Sequence, residues 1–179
     1  MRPTPLLPIA AVNPVDAVEE GQRPNSRFRD RVRDREGVHD LLVFRIGTER
    51  FAVPLDAVDE LVESPRVRKV PGAPENLIGL FTLGETLIPL YSPTAMLGVE
   101  ARHDQVALVM RGGRSRIALA VDDADDVVHV SLADVLDAPR TGRHDDVVLG
   151  VVWNGGDLLT LLDARAVVAS FGALSTEAA

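Results

Sequence analysis

The run Asp122-Asp123-Ala124-Asp125-Asp126 is the densest group of side chains with metal-binding chemistry. A calcium-binding EF-hand loop needs oxygen ligands at its first, third, fifth and twelfth positions and a glycine at its sixth. Counted from Asp122, the third position is Ala124 and the twelfth is Ala133. The run therefore fails as a calcium loop, and we predict a solvated strand edge instead. The same prediction covers Asp56, Asp59 and Glu60.

No other group of residues has the spacing of a catalytic or metal-binding site. The histidines never stand at the i, i+4 spacing of a helical metal site. The serines lack a Gly-x-Ser-x-Gly elbow and a neighbouring histidine base, and cysteine is absent. We therefore predict no enzyme activity, no metal and no cofactor. The residues considered are His39, His103, His129, His144, Ser92, Ser115 and Ser131.

The stretch Arg111-Gly112-Gly113-Arg114-Ser115-Arg116 combines positive charge with glycine, as RNA-binding segments and phosphate loops do. It lacks the Lys-Ser/Thr of a P-loop and falls where a hairpin turn is expected, which favours residues with positive φ. Residues 38–179 also hold twelve Lys or Arg against 21 acids. A nucleic-acid-binding body should instead carry a basic face. We predict a hairpin turn with solvated arginines and no nucleic-acid partner.

The elements that position these residues are β-strands from about Val38 onward. Short β-branched and apolar runs alternate with turns that contain glycine, which is typical of hairpins. The first hairpin spans residues 41–55 with a turn at Gly47, and the second spans residues 77–91 with a turn at Gly84-Glu85. The pattern predicts an all-β fold.

The sequence repeats itself, and such repeats indicate duplicated structural units. A shift of 66 residues places residues 42–62, which include most of the first hairpin, on residues 108–128, and a shift of 71 places residues 78–90 of the second hairpin on residues 149–161. The turns keep their spacing, since Gly47 falls on Gly113. The repeat predicts two strongly bent sheets of about five strands each, packed face to face, with few exposed edges.

A short helix is expected after each half. Ser92 followed by Pro93 is a favourable helix start, and Gly98 a favourable stop. In the second half Asp163 takes the place of Ser92 as the N-cap, in front of a helix over residues 165–171.

The chain is expected to divide into a tail and one double domain. Residues 1–37 contain five prolines and a mixed-charge arginine run, which predicts a disordered N-terminal tail. The domain spans residues 38–172, with subdomains of roughly 38–98 plus C-terminal elements and 99–163. Residues 173–179 are expected to be disordered. The absence of cysteine fits the cytoplasm, and no apolar run approaches the ~18 residues of a membrane span.

Two nearly continuous apolar runs, residues 77–83 and 147–153, predict strands covered on both faces. The second cover is either the other sheet or a partner helix held in a groove.

Four stretches carry a family resemblance: residues 42–62, the loop Val70-Pro71-Gly72-Ala73-Pro74, Leu77-Ile78-Gly79-Leu80 and Leu87-Ile88-Pro89-Leu90. They resemble the CheW family of chemotaxis adaptors, over residues 38–172. The resemblance implies two SH3-like five-stranded barrels related by pseudo-twofold symmetry. It also implies an adaptor that joins methyl-accepting chemoreceptors to the CheA histidine kinase, at membrane receptor clusters and without membrane insertion.

The resemblance also implies a partner-binding surface. At positions that match the family, Val58, Glu60, Gly79 and Leu83 would contact a receptor hairpin tip in a groove between the subdomains. The family usually carries Asn-Leu-Arg-Gly where this chain has Thr82-Leu83-Gly84-Glu85, so Gly84 replaces an arginine and Glu85 a glycine. A positive charge that faces the receptor in the family is thus missing at this position.

Three functions remain open at this point. The first is a non-catalytic scaffold that couples chemoreceptors to a CheA-like kinase. The second is a regulator of the same fold that serves another signalling partner without binding a receptor, as Gly84 and Glu85 suggest. The third is a small-barrel enzyme or nucleic-acid module, which the acidic body and the lack of a catalytic cluster disfavour.

Overall fold

The computed structural model describes residues 38–101, 106–112, 115–138 and 146–172. These residues form two five-stranded sheets with short helices, which confirms the predicted all-β fold of two barrel-like units. The predicted tails, residues 1–37 and 173–179, lie outside the described part.

The strands are β1 (Val38–Ile46), β2 (Glu49–Pro54), β3 (Val58–Glu63), β4 (Leu77–Leu83), β5 (Thr86–Tyr91), β6 (Val106–Gly112), β7 (Ser115–Val121), β8 (Asp123–Ser131), β9 (Val148–Asn154) and β10 (Asp157–Leu162). The α-helices are α1 (Thr94–Leu97) and α2 (Ala164–Gly172), and 3₁₀ turns cover Leu55–Ala57 and Leu132–Asp134.

The two halves of the chain exchange hairpins. Sheet A has the strand order β8-β1-β2-β10-β9, and sheet B has the order β3-β6-β7-β5-β4. Hairpin β1–β2 thus joins three strands of the second half, and hairpin β6–β7 joins three strands of the first half. Each exchanged hairpin is held on one side by an antiparallel pairing, β1 with β8 or β6 with β3, and on the other by a parallel pairing, β2 with β10 or β7 with β5. The sheets therefore do not follow the expected division near residue 98, because each sheet takes strands from both sides of it.

The exchanged hairpins are buried on both faces. In β1, Leu41 and Val43 pack into a core enclosed by sheet A, while Leu42, Phe44 and Ile46 pack into a second core between the sheets. Alternate residues of a strand point to opposite faces, so one strand serves both cores. We call these the sheet A core and the central core. The same alternation in β6 and β7 divides their side chains between the central core and a sheet B core.

Each outer strand changes core partway along its length, by means of a β-bulge. In β3, Val58 packs into the central core and Val62 into the sheet B core, although residues four apart share a face in a regular strand. The register explains this, since Val58 faces Met110 and Glu60 faces Val109, leaving Asp59 as the extra residue. Matching bulges contain Ile78 in β4, Asp125 in β8 and Leu149 in β9.

The apolar runs in β4 and β9 are not covered as predicted. Both strands lie at sheet edges, and their burial is uneven, because Phe81 and Val152 are buried whereas Thr82 and Trp153 are exposed. Trp153 is 56% exposed, and Leu87 and Leu158 on the neighbouring strands β5 and β10 are 62% and 44% exposed. The doubly covered strands are instead those of the exchanged hairpins. Short segments touch the two edges through single backbone bridges, Arg68 with Leu80 and Leu136 with Val151.

The predicted caps are confirmed in three of four cases. Gly98 ends α1 with a left-handed φ of 68°, and α2 ends at Gly172. Asp163 caps α2, because its Oδ1 accepts hydrogen bonds from the backbone N–H of Arg165 (3.0 Å) and of Ala166 (3.2 Å). The Ser92 prediction is wrong. Pro93 already has helical φ and ψ and occupies the N-cap position, and no side chain caps α1.

No helix in the described ranges is long and apolar enough to cross a membrane.

Candidate partner-binding site

The structure places all seven predicted partner-binding residues on sheet B. Val58 and Glu60 lie on β3, and Gly79, Thr82 and Leu83 lie on β4. Gly84 and Glu85 form the turn between β4 and β5. These two groups occupy the opposite edge strands of the sheet, with three strands between them.

Most of these residues nevertheless lie at the same end of sheet B. Val58, at the start of β3, faces Met110 near the end of β6. Leu83, at the end of β4, faces Thr86 at the start of β5. Antiparallel pairing brings the end of β6 beside the start of β7, and β5 runs parallel to β7. This end of the sheet, which we call the hairpin end, therefore holds Val58, Thr82, Leu83, Gly84 and Glu85. Glu60 and Gly79 lie nearer the middle of the sheet, where Glu60 faces Val109 and Gly79 faces Leu90.

The seven residues differ in what they can offer a partner. Glu60, Thr82, Gly84 and Glu85 are exposed. Val58 is half-buried against the central core, and Leu83 is half-buried against the sheet B core.

Gly79 is buried and serves the fold. A Cβ there would overlap the carbonyl oxygen of Arg68 and lie 2.6 Å from Cγ1 of Val67. The next residue, Leu80, exchanges backbone hydrogen bonds of 2.7 and 2.9 Å with Arg68. Only glycine lets this segment approach β4 so closely, so a larger residue at position 79 would test folding before it tested binding.

The structure contains a charged cluster at the hairpin end that was not predicted from the sequence. Oδ1 of Asp59 lies 2.7 Å from Nε of Arg111, and Oδ2 lies 2.9 Å from Nε of Arg116. The Asp59 side chain is only 12% exposed, so the predicted solvated edge is wrong at this residue. The arginines retain 54% and 49% exposure, so they are only partly solvated. We call these three residues the Asp59 clamp.

The clamp follows from strand register. Arg111 and Arg116 face each other across β6 and β7, and like charges in that position repel. Both point to the same side of the sheet as Val109 and Ala118, which are members of the sheet B core. The bulge brings the carboxylate of Asp59 between the two guanidinium groups. The hairpin and the opposed arginines were visible in the sequence, but the bulge that supplies the acid was not.

The acidic run at residues 122–126 contains one buried member. Oδ2 of Asp122 accepts a 2.7 Å hydrogen bond from the backbone N–H of Gly47 and lies 3.6 Å from Nη1 of Arg45. The solvated-edge prediction is therefore wrong for Asp122, while Asp123 and Asp126 are exposed. Asp122 ties the end of β7, in sheet B, to the first turn of sheet A. Across the described part of the chain, no group of three or more His, Asp or Glu side chains is arranged to hold a metal ion.

Exposed apolar side chains recur at repeat-related positions. Leu87 on β5 corresponds to Leu158 on β10, and both are exposed. Leu61 on β3 and Val127 on β8 form a second such pair. Trp153 faces Leu158 directly across β9 and β10. These residues were not predicted from the sequence, because a single exposed position within an apolar strand has the same pattern as a buried one.

Comparison with known proteins fits this architecture. A sequence profile of the CheW-like domain matches residues 40–171. The chemotaxis protein CheW of Helicobacter pylori is 26% identical over 133 residues, covering 72% of this chain and 81% of that protein. The chemotaxis protein CheW of Treponema pallidum is 28% identical over 141 residues, covering 73% and 82%.

The fold has a solved counterpart. The scaffolding protein TtCheW from Thermoanaerobacter tengcongensis matches with a TM-score of 0.64 at 19% identity, over 70% of this chain and 88% of that one. At this identity the match concerns the fold alone. Because the family profile spans well over half of the sequence, the chain belongs to the CheW-like domain family.

Proposed function

We propose that the protein is a non-catalytic adaptor of chemotaxis-type signal transduction, which couples chemoreceptors to a CheA-like histidine kinase in the cytoplasm at receptor clusters. The observation that carries the proposal is the family match over residues 40–171. Relatives in this family are named chemotaxis protein CheW, and the solved neighbour is named a scaffolding protein.

Exposed apolar side chains on both sheets support a binding role. Protein interfaces gain most of their affinity from a few well-buried apolar anchors, while charges at the rim set partner choice and association rate. Leu87 on sheet B and the Trp153–Leu158 pair on sheet A offer such anchors on two separate faces. An adaptor needs two separate faces, because it holds two partners at once.

We assign the receptor contact to the hairpin end of sheet B. Its exposed residues Thr82, Gly84 and Glu85, together with Glu60 further along β3, would touch the receptor. Val58 and Leu83 would hold the exposed residues in place, since Val58 packs against the central core and Leu83 against the sheet B core.

Pairwise binding tests this proposal. The purified full chain is titrated separately with a chemoreceptor signalling fragment and with the regulatory domain of a CheA-type kinase, both encoded by the same genome. We expect saturable binding to each. Failure to bind the kinase domain would overturn the adaptor function. Binding to the kinase without binding to the receptor fragment would instead support the second function.

The second candidate function is a regulator that binds a kinase but no receptor. Gly84 and Glu85 favour it, because a positive charge typical of the family is missing there. If it is correct, the double substitution Gly84→Arg and Glu85→Gly should create receptor binding in a protein that otherwise has none. Nothing lies within 4 Å of a Cβ added at position 84, so the cost of the arginine there is the φ of +60° rather than a clash of its Cβ.

A further inference from the structure

The Asp59 clamp leaves part of each arginine available for binding. Both salt bridges use Nε of the guanidinium group. Each guanidinium carries five N–H donors in a rigid fork, which suits it to bind a carboxylate. With about half of each side chain exposed, the terminal amino groups lie outside the two bridges to Asp59.

The repeat-related end of sheet A provides a comparison within the same molecule. Arg45 and Arg50 face each other across β1 and β2, as Arg111 and Arg116 do across β6 and β7. Arg45 lies near Asp122 and Arg50 near Asp157, so each has its own carboxylate. Among the ion pairs of the described residues, the two sheet B arginines share the single carboxylate of Asp59. The clamp therefore carries a net positive charge on an otherwise acidic body.

The clamp lies at the end of the sheet where the family motif would place an arginine. Leu90 on β5 faces Ala118 on β7, so Arg116 lies beside Ile88, two residues earlier on each strand. Ile88 in turn faces Phe81 on β4. Arg116 on β7 is thus separated from β4 by the strand β5, a distance of about 10 Å. It lies near the end of β4 that leads into the Gly84-Glu85 turn.

We propose that Arg111 and Arg116, oriented by the positioning residue Asp59, bind a carboxylate of the receptor in place of the arginine missing at position 84. The inference rests on the proposed receptor contact. Asp59 orients the two arginines from a largely buried position, which lowers the freedom that they lose on binding. Its Oδ2 lies 2.9 Å from Nε of Arg116 without hydrogen-bond geometry, so charge attraction holds Arg116 there. Charge-assisted hydrogen bonds to a carboxylate are among the stronger polar contacts.

The test compares two arginines related by the repeat. Affinity for the receptor signalling fragment is measured for Arg116→Gln and for Arg50→Gln in the full chain. We expect Arg116→Gln to weaken binding roughly 10- to 100-fold, and Arg50→Gln to leave it within about twofold, as is usual for an exposed ion pair. Equal affinities for Arg116→Gln and wild type, or an equal loss in both variants, would overturn the inference.

Two further variants distinguish an effect on the orientation or position of the arginines from an effect on folding. Asp59→Asn raises the net positive charge yet frees the arginines, so we expect weaker binding, whereas unchanged or tighter binding would contradict a positioning role. Gly84→Arg in the Arg116→Gln background should restore affinity, which a merely structural defect would not allow. Absence of rescue, with the folded state verified by circular dichroism, would also overturn the inference. If the wild-type chain binds no receptor fragment, the proposed receptor contact itself fails.

Discussion

At the residue scale, two acidic residues have different roles from those that the sequence indicated. Asp59 and Asp122 both lie in charged runs that resemble solvated edges. In the structure each is largely buried and holds a hairpin in place, Asp59 through two arginines and Asp122 through Gly47. Burying a charged group is unfavourable unless it is paired, so these contacts stabilise the fold only while both partners are present.

The buried carboxylate gives a prediction with a control at the adjacent position. Asp122→Ala removes the acceptor of the Gly47 N–H, and a buried donor without a partner costs about 1–3 kcal/mol. We expect the free energy of unfolding in urea to fall by about that amount. Asp123→Ala, on an exposed side chain, should change it by at most about 0.5 kcal/mol. Equal effects of the two substitutions would mean that the Asp122 contact contributes nothing.

Two glycines of the predicted site give a second prediction. Gly79→Ala forces a methyl group into the backbone of Arg68, and overpacking of this kind costs about 1–3 kcal/mol or more. Gly84→Ala meets nothing within 4 Å, so only its φ of +60° is unfavourable, at roughly 1–2 kcal/mol. In thermal unfolding, the melting temperature of Gly79→Ala should therefore be lower than that of Gly84→Ala. The reverse order would contradict the close approach of the 66–70 segment to β4.

At the element scale, β-bulges determine which core each outer strand serves. The bulges in β3, β4, β8 and β9 occur at repeat-related positions, and each shifts the alternation by one residue. A one-residue shift in register moves every later side chain to the opposite face. The outer strands can thus contribute to a sheet core at one end and to the central core at the other.

The helix caps provide a prediction at this scale. Asp163 accepts two backbone hydrogen bonds at the start of α2, whose apolar face covers the central core. Asp163→Ala should lower the free energy of unfolding by about 1 kcal/mol or more. Ser92→Ala removes a hydroxyl that bonds the side chain of Thr94 and caps no helix, so we expect a smaller loss. Denaturant titration of both variants decides between the two roles, and a larger loss for Ser92→Ala would refute the assignment.

Local features of the fold were predictable from the sequence, whereas long-range features were not. The hairpins, the turn at Gly84-Glu85 and the Asp163 cap depend on neighbouring residues and appear in the structure as expected. The exchange of hairpins depends on the parallel pairing of β2 with β10, strands separated by more than a hundred residues. The continuous apolar run of residues 41–44 in β1 fits either face equally well, so it cannot identify the partner sheet.

The candidate site was predictable in the same uneven way. The family resemblance led to segments on the two edge strands of sheet B, and four of the seven residues are exposed. It did not indicate that Gly79 is buried or that Asp59 binds two arginines. Both facts depend on bulges and bridges between distant segments, which leave no local pattern.

At the scale of the whole molecule, the exchanged hairpins make the two sheets dependent on each other. Sheet B lacks β6 and β7 unless the second half is present, and the central core contains side chains of both sheets. We therefore expect a fragment of residues 38–98 to remain unfolded, while residues 38–172 fold with a single cooperative transition. Circular dichroism and amide dispersion in NMR spectra measure this directly. A folded 38–98 fragment would show that the halves are independent subdomains.

The adaptor function requires that the molecule hold two partners together, and co-sedimentation measures that requirement most directly. Membranes containing a chemoreceptor from the same genome are mixed with its CheA-type kinase, with and without the full chain, and centrifuged. The proposed function predicts that much more kinase sediments when the chain is present, and that the chain sediments with it. Kinase that stays in the supernatant at saturating amounts of both proteins would contradict the coupling of receptor to kinase.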